Sequence, residues 1–177
     1  SNVYHTLGHN QGIEESPVVA MLDMGDSVSS LTILVDRIPC FTRDIFIGGK
    51  EFTKRISNAL SITPQEADAL KKQPGARLPE MLSACESLIA NIIQELKLSF
   101  DYFTTEKGKE IGCLLITGGS SLLGDMDTIF EKQMEMKVYR WNPILNLKAS
   151  SKINVADLQN NFYKLGVALG LALYEYD

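Results

Sequence analysis

Apolar residues in the first third of the chain predict three strands that follow one another closely. The stretch VVAMLDM, Val18 to Met24, is a continuous apolar run, which is typical of a central strand with both faces buried. SSLTILV, Ser29 to Val35, and IPCFTRDIFI, Ile38 to Ile47, predict a second and a third strand. Because only a few turn-forming residues separate them, we expect the three strands to pair in chain order as an antiparallel meander.

Apolar positions then recur at helical spacing. KEFTKRISNAL predicts a first helix, and TPQEADALKK predicts a second, with Thr63 as its N-cap, Pro64 in its first turn and Glu66 completing a capping box. A long third helix is predicted from Pro79 to about Glu106. Its apolar stripe consists of Leu82, Cys85, Ile89, Ile92, Leu96, Phe100 and Phe103.

The last third of the chain alternates strand and helix. GCLLIT predicts a fourth strand, a glycine turn and a helix through about Met134 follow, and KVYR predicts a fifth strand. Beyond a loop, Asn154 caps a predicted final helix, whose apolar face consists of Leu158, Phe162, Leu165, Leu169 and Leu173. This order fits a three-layer α/β domain with a mixed sheet. We expect residues 1–17 to be a leader or linker left from a longer chain, and residues 18–177 to form the domain, with a helical insertion at about 61–108.

The composition excludes several classes of protein. The chain has 177 residues, of which 45% are apolar, so it is long enough for one domain with a buried core. Its net charge of −5 disfavours a nucleic-acid partner, and no stretch approaches the roughly 20 apolar residues that span a bilayer. Cys40, Cys85 and Cys113 are too widely spaced for a zinc or thiol-redox motif. We expect each of them to be a small buried hydrophobe, reduced as in a cytoplasmic protein.

The turn after the first strand is the first candidate for chemistry. In DMGDSVSS, Asp23 ends a buried strand, and a carboxylate in that position is a suitable ligand for Mg²⁺. The N–H groups of the glycine-containing turn that follows could cradle an anion, and Ser27 and Ser29 could add hydroxyl groups. Taken by itself, however, the stretch favours the simpler interpretation of an ordinary hairpin.

The glycine turn after the fourth strand is the second candidate. In ITGGSS, Gly118 and Gly119 lie at the carboxyl end of a strand and precede a helix. Ligands of α/β sheets bind at this edge, and the absence of side chains permits close approach of a ribose or phosphate. The alternative is a strand–helix joint that needs a positive φ angle, and the motif alone does not decide between them.

The two motifs in this order, separated by a helical insertion, resemble the second lobe of the actin-like ATPases. LDMGDSVSSLTIL is similar to the second phosphate motif of that superfamily, D-x-G-x-x-x-[ST], and LLITGGSSLLGDM is similar to its adenosine motif. The order of elements resembles its ribonuclease-H-like lobe. The expected fold class is therefore α/β, with an antiparallel three-stranded meander plus parallel strands, helices on both faces and a helical insertion.

Within the superfamily, the chain resembles the PilM family of type IV pilus assembly most. Four further stretches carry this resemblance, which extends from Val18 to Tyr174: IFIGGKEFTKRISNALSITPQEADALKK, LIANIIQELKLSFDYF, VYRWNPI and YKLGVALGLAL. FtsA, the cell-division relative, has the same order of motifs and fits the final helix less well.

The resemblance implies that ATP and Mg²⁺ bind in a cleft between two lobes. Asp23 would lie near Mg²⁺, Glu95 would offer its carboxylate to the adenosine, and Leu98 stands where relatives often carry a basic residue that stacks on adenine. The β- and γ-phosphates would be wrapped by Gly25, Asp26, Ser27 and Ser29, and the ribose and α-phosphate would contact Gly118, Gly119 and Ser120. Because the first lobe would lie before Ser1, we expect no ATP hydrolysis by this chain alone and at most slow hydrolysis by the parent protein.

The expected function is that of an ATP-binding platform component of type IV pilus assembly, cytoplasmic and peripheral to the inner membrane through its partners. The resemblance implies a PilN-like membrane protein whose cytoplasmic tail docks on the first lobe. Alternatives stay open: a pseudo-ATPase scaffold without nucleotide, a type II secretion relative, an FtsA-like protein and a sugar kinase of the same fold. Leu98 slightly favours the scaffold, whereas Asp23 and the two glycines favour nucleotide binding. The sequence leaves self-association open and predicts neither nucleic-acid binding nor direct membrane insertion.

Overall fold

A computed structural model describes residues 16–144, 161–166 and 168–169 of the chain. Five strands form one mixed sheet in the order β3-β2-β1-β4-β5. Their bounds are β1 Val18–Met24, β2 Ser29–Val35, β3 Ile38–Ile45, β4 Cys113–Thr117 and β5 Lys137–Arg140. β1, β2 and β3 pair antiparallel in chain order, and β4 and β5 run parallel to β1 on its other side. The predicted fold class and the predicted meander are confirmed.

Within residues 16–144, α-helices accompany the sheet at α1 Gly49–Leu60, α2 Pro64–Lys72, α3 Leu78–Lys107 and α4 Met126–Met134. Short 3₁₀ helices are found at Gly75–Arg77, Gly119–Leu122 and Phe162–Lys164. The capping box of α2 is present, because Thr63 Oγ1 accepts the N–H of Glu66 at 3.2 Å and the carboxylate of Glu66 accepts the N–H of Thr63 at 2.7 Å.

The main core lies between the sheet and these helices. Alternate residues of β1, such as Ala20 and Leu22, pack there with Phe52 of α1 and with the buried face of α3. That face is wider than the predicted stripe, because α3 packs against α1 and α4 as well as against the sheet. Its buried residues are Met81, Cys85, Leu88, Ile89, Ile92, Ile93, Leu96, Ser99 and Phe103.

The opposite face of the sheet carries a second, smaller cluster. It consists of Val19, Met21, Leu34, Cys113, Leu115 and Trp141. Gly166 lies against the Trp141 ring, since a Cβ at that position would be 3.1 Å from ring atom Cζ3. Both faces of β1 are therefore buried, as the continuous apolar run predicts.

The prediction that all three cysteines are buried is wrong for Cys40. This residue is exposed, because it lies on β3, the outermost strand, whose side chains are mostly open to solvent. Cys85 and Cys113 are buried as expected. Burial raises the pKa of the Cys85 thiol to about 11 and also raises the pKa of the Cys113 thiol.

Two predicted element boundaries also differ from the structure. The glycine turn after β4 leads into the 3₁₀ helix Gly119–Leu122, and α4 begins only at Met126 because Leu123 is extended and Gly124 has a φ of +50°. In the predicted final helix, Phe162–Lys164 are 3₁₀-helical, and Asn154 lies outside the described residues.

Candidate functional site

The carboxyl ends of the parallel strands β1 and β4 meet at one edge of the sheet, which is where α/β folds bind ligands. Asp23 and Thr117 are directly paired in the register of these two strands. The turn Gly25–Val28 follows Asp23, and Gly118 and the 3₁₀ helix Gly119–Leu122 follow Thr117. The two sequence motifs are therefore neighbours in space.

Asp23 has a carboxylate that the surrounding protein leaves uncompensated. Its side chain is partly buried, and this desolvation raises the pKa of the carboxyl group above its ordinary value. Within the described part of the chain, no hydrogen bond or ion pair to this carboxylate is found. The hydroxyl oxygen of the adjacent Thr117 is buried and also has no partner among those residues. Of these two neighbouring groups, the partly exposed Asp23 carboxylate is the one that a ligand could reach, because the Thr117 hydroxyl is enclosed by protein.

The turn after β1 is held from two sides. The N–H of Gly25 donates to the carbonyl of Val28 at 3.1 Å and closes the turn. The first N–H groups of α1 then bind the turn, from Gly49 to the Gly25 carbonyl at 3.0 Å and from Lys50 to the Asp26 carbonyl at 2.8 Å. The turn is therefore rigidly attached to the N-terminus of α1.

Ser120 joins the glycine motif to this turn. Its hydroxyl donates to the carbonyl of Gly25 at 3.0 Å, and a Cβ added to Gly49 would lie 3.0 Å from the same hydroxyl oxygen. Ser120, Gly25 and Gly49 thus pack closely where β1, β4 and α1 meet. This close contact explains why position 49 is a glycine, because a side chain there would press against the Ser120 hydroxyl.

The two glycines of the GG motif have different environments. Gly118 is buried with a φ of +84°, and a Cβ there would clash with the side chain of Asp23 and lie 2.6 Å from the Met24 carbonyl oxygen. The space beside Gly118 is thus filled by β1 of the protein itself. Gly119 is exposed, and among the described residues only a Tyr163 ring carbon, 3.8 Å away, lies near its absent Cβ. Of the two, Gly119 leaves room for a ligand.

An open cleft of about 720 Å³ lies beside these motifs. One side is formed by Gly25, Asp26, Gly49, Gly119 and Ser120, together with Leu122 and Leu123. The opposite side is the end of α2, where Asp68, Lys71, Lys72 and Gln73 line the cleft. Four of the residues that the sequence assigned to a ligand therefore border one cavity.

The end of α2 places two lysines around one carboxylate. Asp68 lies 2.5 Å from the ammonium of Lys72 and 3.2 Å from that of Lys71. Hydrogen bonds from Lys72 and Lys71 lower the pKa of Asp68, and the bond to Asp68 raises the pKa of Lys72. Lys71 also donates to the Gly49 carbonyl at 3.0 Å, which ties α2 to the start of α1. One carboxylate shared by two ammonium groups leaves this side of the cleft with an excess of positive charge.

The two serines of the first motif are placed differently. Ser29 is fully buried, and its hydroxyl donates to the Ile47 carbonyl at 2.7 Å, so it fixes the segment before α1 and does not border the cleft. Ser27 is exposed on the turn, and its hydroxyl accepts a hydrogen bond from the ammonium of Lys50 at 3.1 Å.

Glu95 lies apart from the other candidate residues. It does not border the cleft, and its carboxylate forms an ion pair with Arg43 of β3. Arg43 also donates to the Ser99 hydroxyl at 3.1 Å. Leu98, one turn of α3 away, is exposed outside the cleft. Through these contacts, this part of α3 is bound to the edge strand β3. That Glu95 contacts adenosine stays a prediction, which the position of the residue outside the cleft does not support.

Sequence reasoning did not single out Lys50, Lys71 and Lys72. Their signals are present as the lysine that follows the Gly48-Gly49 pair and as the KK pair that ends α2. A lysine next to a glycine pair or at a helix C-terminus is common on a solvated surface, so only the fold shows that Lys50 contacts the turn Gly25–Val28 and that Lys71 and Lys72 line the cleft.

Solved structures that share the fold over most of this chain include the following three. A structure of the PilM–PilN type IV pilus biogenesis complex has a TM-score of 0.81 and 24% identity, covering 97% of this chain and 50% of its own. The ethanolamine utilization protein EutJ from Carboxydothermus hydrogenoformans has a TM-score of 0.68 and 15% identity, covering 98% and 52%. MreB 5 of Spiroplasma citri bound to AMPPNP has a TM-score of 0.60 and 16% identity, covering 98% and 57%.

The sheet order and these neighbours define the class as a lobe with the actin-like ATPase fold. The family of type IV pilus assembly protein PilM matches residues 2–176, and the chain belongs to that family. It spans about half the length of the solved structures that it matches. Within the described residues, no helix is long and apolar enough to cross a membrane.

Proposed function

We propose that this chain is the ATP-binding lobe of a PilM-like protein that acts in the cytoplasm as a platform component of type IV pilus assembly. The observation that carries the nucleotide part of the proposal is the uncompensated carboxylate of Asp23 beside the unpartnered hydroxyl of Thr117. Partial burial of a charge is unfavourable unless an opposite charge compensates it. A cation at the sheet edge would supply that charge.

Mg²⁺ fits this position. It is bound in nucleotide sites by one or two carboxylates plus phosphate oxygens and water, and so does not need a cage of protein ligands. Among the residues that the structure describes, no group of three or more acidic, histidine or cysteine side chains is close enough to form such a cage. Asp23 would hold the ion directly or through water, and the ion would supply positive charge to the phosphates. Gly119 and Ser120 would border the ribose.

The proposed partner is a PilN-like membrane protein. The PilM in the solved complex is assembled with PilN, and this chain is similar to half of that structure. We propose that the cytoplasmic tail of the partner binds the first lobe of the parent protein, which would hold the parent at the inner membrane without inserting it. The family match favours this pilus role over the FtsA-like, type II secretion and sugar kinase alternatives.

A nucleotide-free scaffold is the second candidate. It is favoured by the placement of Glu95, whose carboxylate pairs with Arg43 and does not border the cleft. The exposed Leu98 adds no recognition of the base within the cleft.

Calorimetric titration of Mg-ATP into the full-length parent protein separates the two candidates. The variants are Asp23→Asn, which removes the charge at nearly constant volume, and Asp36→Asn as a matched control on the exposed β2–β3 turn. Saturable binding that Asp23→Asn weakens and Asp36→Asn preserves would support the proposal. If the unmodified protein shows no binding heat at any magnesium concentration, the nucleotide role is wrong and the scaffold remains.

A further inference from the structure

Lys50 approaches the turn Gly25–Val28 from the first residues of α1. Its ammonium lies 2.9 Å from the Asp26 carboxylate and donates to the Ser27 hydroxyl at 3.1 Å. Its backbone N–H separately donates to the Asp26 carbonyl at 2.8 Å. The residue therefore contacts the turn twice, once through the main chain and once through the side chain.

The side-chain contact is not what fixes the turn. The turn is held by the backbone hydrogen bonds from Gly49 and Lys50. Gly48 also packs directly against it, since a Cβ at this position would lie 2.7 Å from backbone atoms of Asp26 and Ser27. The side chains of Lys50 and Asp26 are both 70% exposed. An ion pair so open to water contributes little to stability, so the ammonium can leave Asp26 for a more strongly charged anion at little cost.

Lys50 does not border the cleft itself, but of the three lysines it is the one whose ammonium contacts side chains of the turn. Lys71 and Lys72 both pair with Asp68, and the ammonium of Lys71 also donates a hydrogen bond to the Gly49 carbonyl. By contrast, Lys50 is bound only to the two side chains of the turn itself, as far as the described residues go. Any anion seated on the turn would compete directly with Asp26 for its ammonium.

We propose that Lys50 binds the β- and γ-phosphates of the nucleotide and so makes the site selective for nucleoside di- and triphosphates over monophosphates. This inference depends on the proposed nucleotide function and assigns one more residue to the same site. The hydrogen bond from an ammonium is charge-assisted to a carboxylate and to a phosphate alike, but the β- and γ-phosphates together carry more negative charge than one carboxylate and so attract the ammonium more strongly. When the ammonium moves to phosphate, the side chains of Asp26 and Ser27 would lose their contacts with Lys50 and remain exposed to solvent.

The experiment compares Mg-ATP, Mg-ADP and AMP by calorimetric titration of the full-length parent protein. The test variant is Lys50→Gln, and the matched control is Lys54→Gln, an exposed lysine one turn further along α1. We expect Lys50→Gln to weaken ATP binding about tenfold, the loss typical of one charge-assisted hydrogen bond, and to leave AMP binding unchanged. Lys50→Arg should restore most of the affinity, since it keeps the charge.

Thermal unfolding of the same variants distinguishes ligand binding from a tethering role. Equal losses for ATP and AMP, together with a lowered midpoint for Lys50→Gln, would show that Lys50 only anchors the turn, and would overturn the inference. ATP binding that is identical in Lys50→Gln and the unmodified protein would overturn it as well, while the nucleotide function would stand. Failure of the unmodified protein to bind any of the three ligands would instead reject the nucleotide function itself.

Discussion

The hydroxyl of Ser120 donates a hydrogen bond to the carbonyl of Gly25 at 3.0 Å, across 95 residues of sequence. This bond connects the glycine motif after β4 to the turn after β1. It fixes the relative position of the two segments that border the cleft, so a ligand that touches both would find them already in place.

Ser120→Ala tests this connection. Loss of the partly buried hydrogen bond is expected to lower the free energy of unfolding by about 1 kcal/mol. If the two segments act together on a ligand, ATP affinity of the parent protein should fall as well. Chemical denaturation measures the first effect, and Ser83→Ala, on the exposed side of α3, is the control. Unchanged stability would show that the bond contributes nothing to the native state.

Gly118 and Gly119 should respond in opposite ways to alanine. Gly118→Ala places a Cβ at a φ of +84° and against Asp23 and Met24, so we expect a destabilisation of at least about 2 kcal/mol. Gly119→Ala meets only the Tyr163 ring at 3.8 Å and should leave the unfolding midpoint nearly unchanged.

Nucleotide affinity adds a second measurement to this pair. Because the Cβ of Gly119→Ala would project into the space that we assign to the ribose, that variant should bind ATP more weakly despite its intact fold. Full ATP affinity in a well-folded Gly119→Ala protein would contradict the placement of the ribose at this position.

Asp23 should carry a stability cost that depends on pH. Burial raises its pKa above the ordinary value of 3.8, so the folded protein binds this proton more tightly than the unfolded chain does. The free energy of unfolding therefore falls as pH rises from the pKa of Asp23 in the unfolded chain through its higher pKa in the folded protein. At neutral pH this loss of stability is complete. Asp23→Asn removes the cost and should raise the unfolding midpoint at pH 7.

The difference between Asp23→Asn and the unmodified protein should shrink as pH falls through the raised folded pKa and level off below the ordinary value of 3.8, where Asp23 is protonated in both the folded and the unfolded chain. Unfolding scans in magnesium-free buffer across this range measure it. A difference that stays constant with pH would mean that ionisation of Asp23 is not its source.

Glu95 should matter for the fold more than for the ligand. Its ion pair with Arg43 is more than one-third exposed, so Glu95→Ala is expected to lower stability by at most about 1 kcal/mol. ATP affinity of the parent protein should not change, because the residue does not border the cleft. Arg43→Ala, measured in parallel, should have a similar effect on stability. A large loss of ATP affinity in the Glu95 variant alone would restore its predicted contact with adenosine.

The three cysteines should differ in reactivity toward a maleimide reagent. Cys40 is exposed on the edge strand, whereas Cys85 and Cys113 are buried and their raised pKa values further disfavour the reactive thiolate. Native protein should therefore take up one label, and denatured protein three. Mass spectrometry after proteolysis identifies the modified residue, and labelling of Cys85 in the native state would contradict the fold.

The sequence by itself determined the order and type of most elements. The apolar run of β1 predicts a central strand because burial on both faces leaves no polar alternation, and the capping box of α2 is decided by residues within one turn. Asp23, Gly25 and Ser120 were assigned through the resemblance of two motifs in the correct order to the actin-like ATPases, because each motif by itself is equally typical of an ordinary turn. For Cys40, an apolar stretch suggested burial, but the sequence does not say which strand lies at the edge.

Only the tertiary structure decided which side chains meet. The sheet order places β1 beside β4, and this brings Asp23 to Thr117 and Gly25 to Ser120. The same order places β3 under α3, where Arg43 pairs with Glu95, and the start of α1 on the turn, where Lys50 reaches Asp26. Such contacts join residues far apart in the chain and depend on strand order and helix packing, so no local pattern of residues contains them.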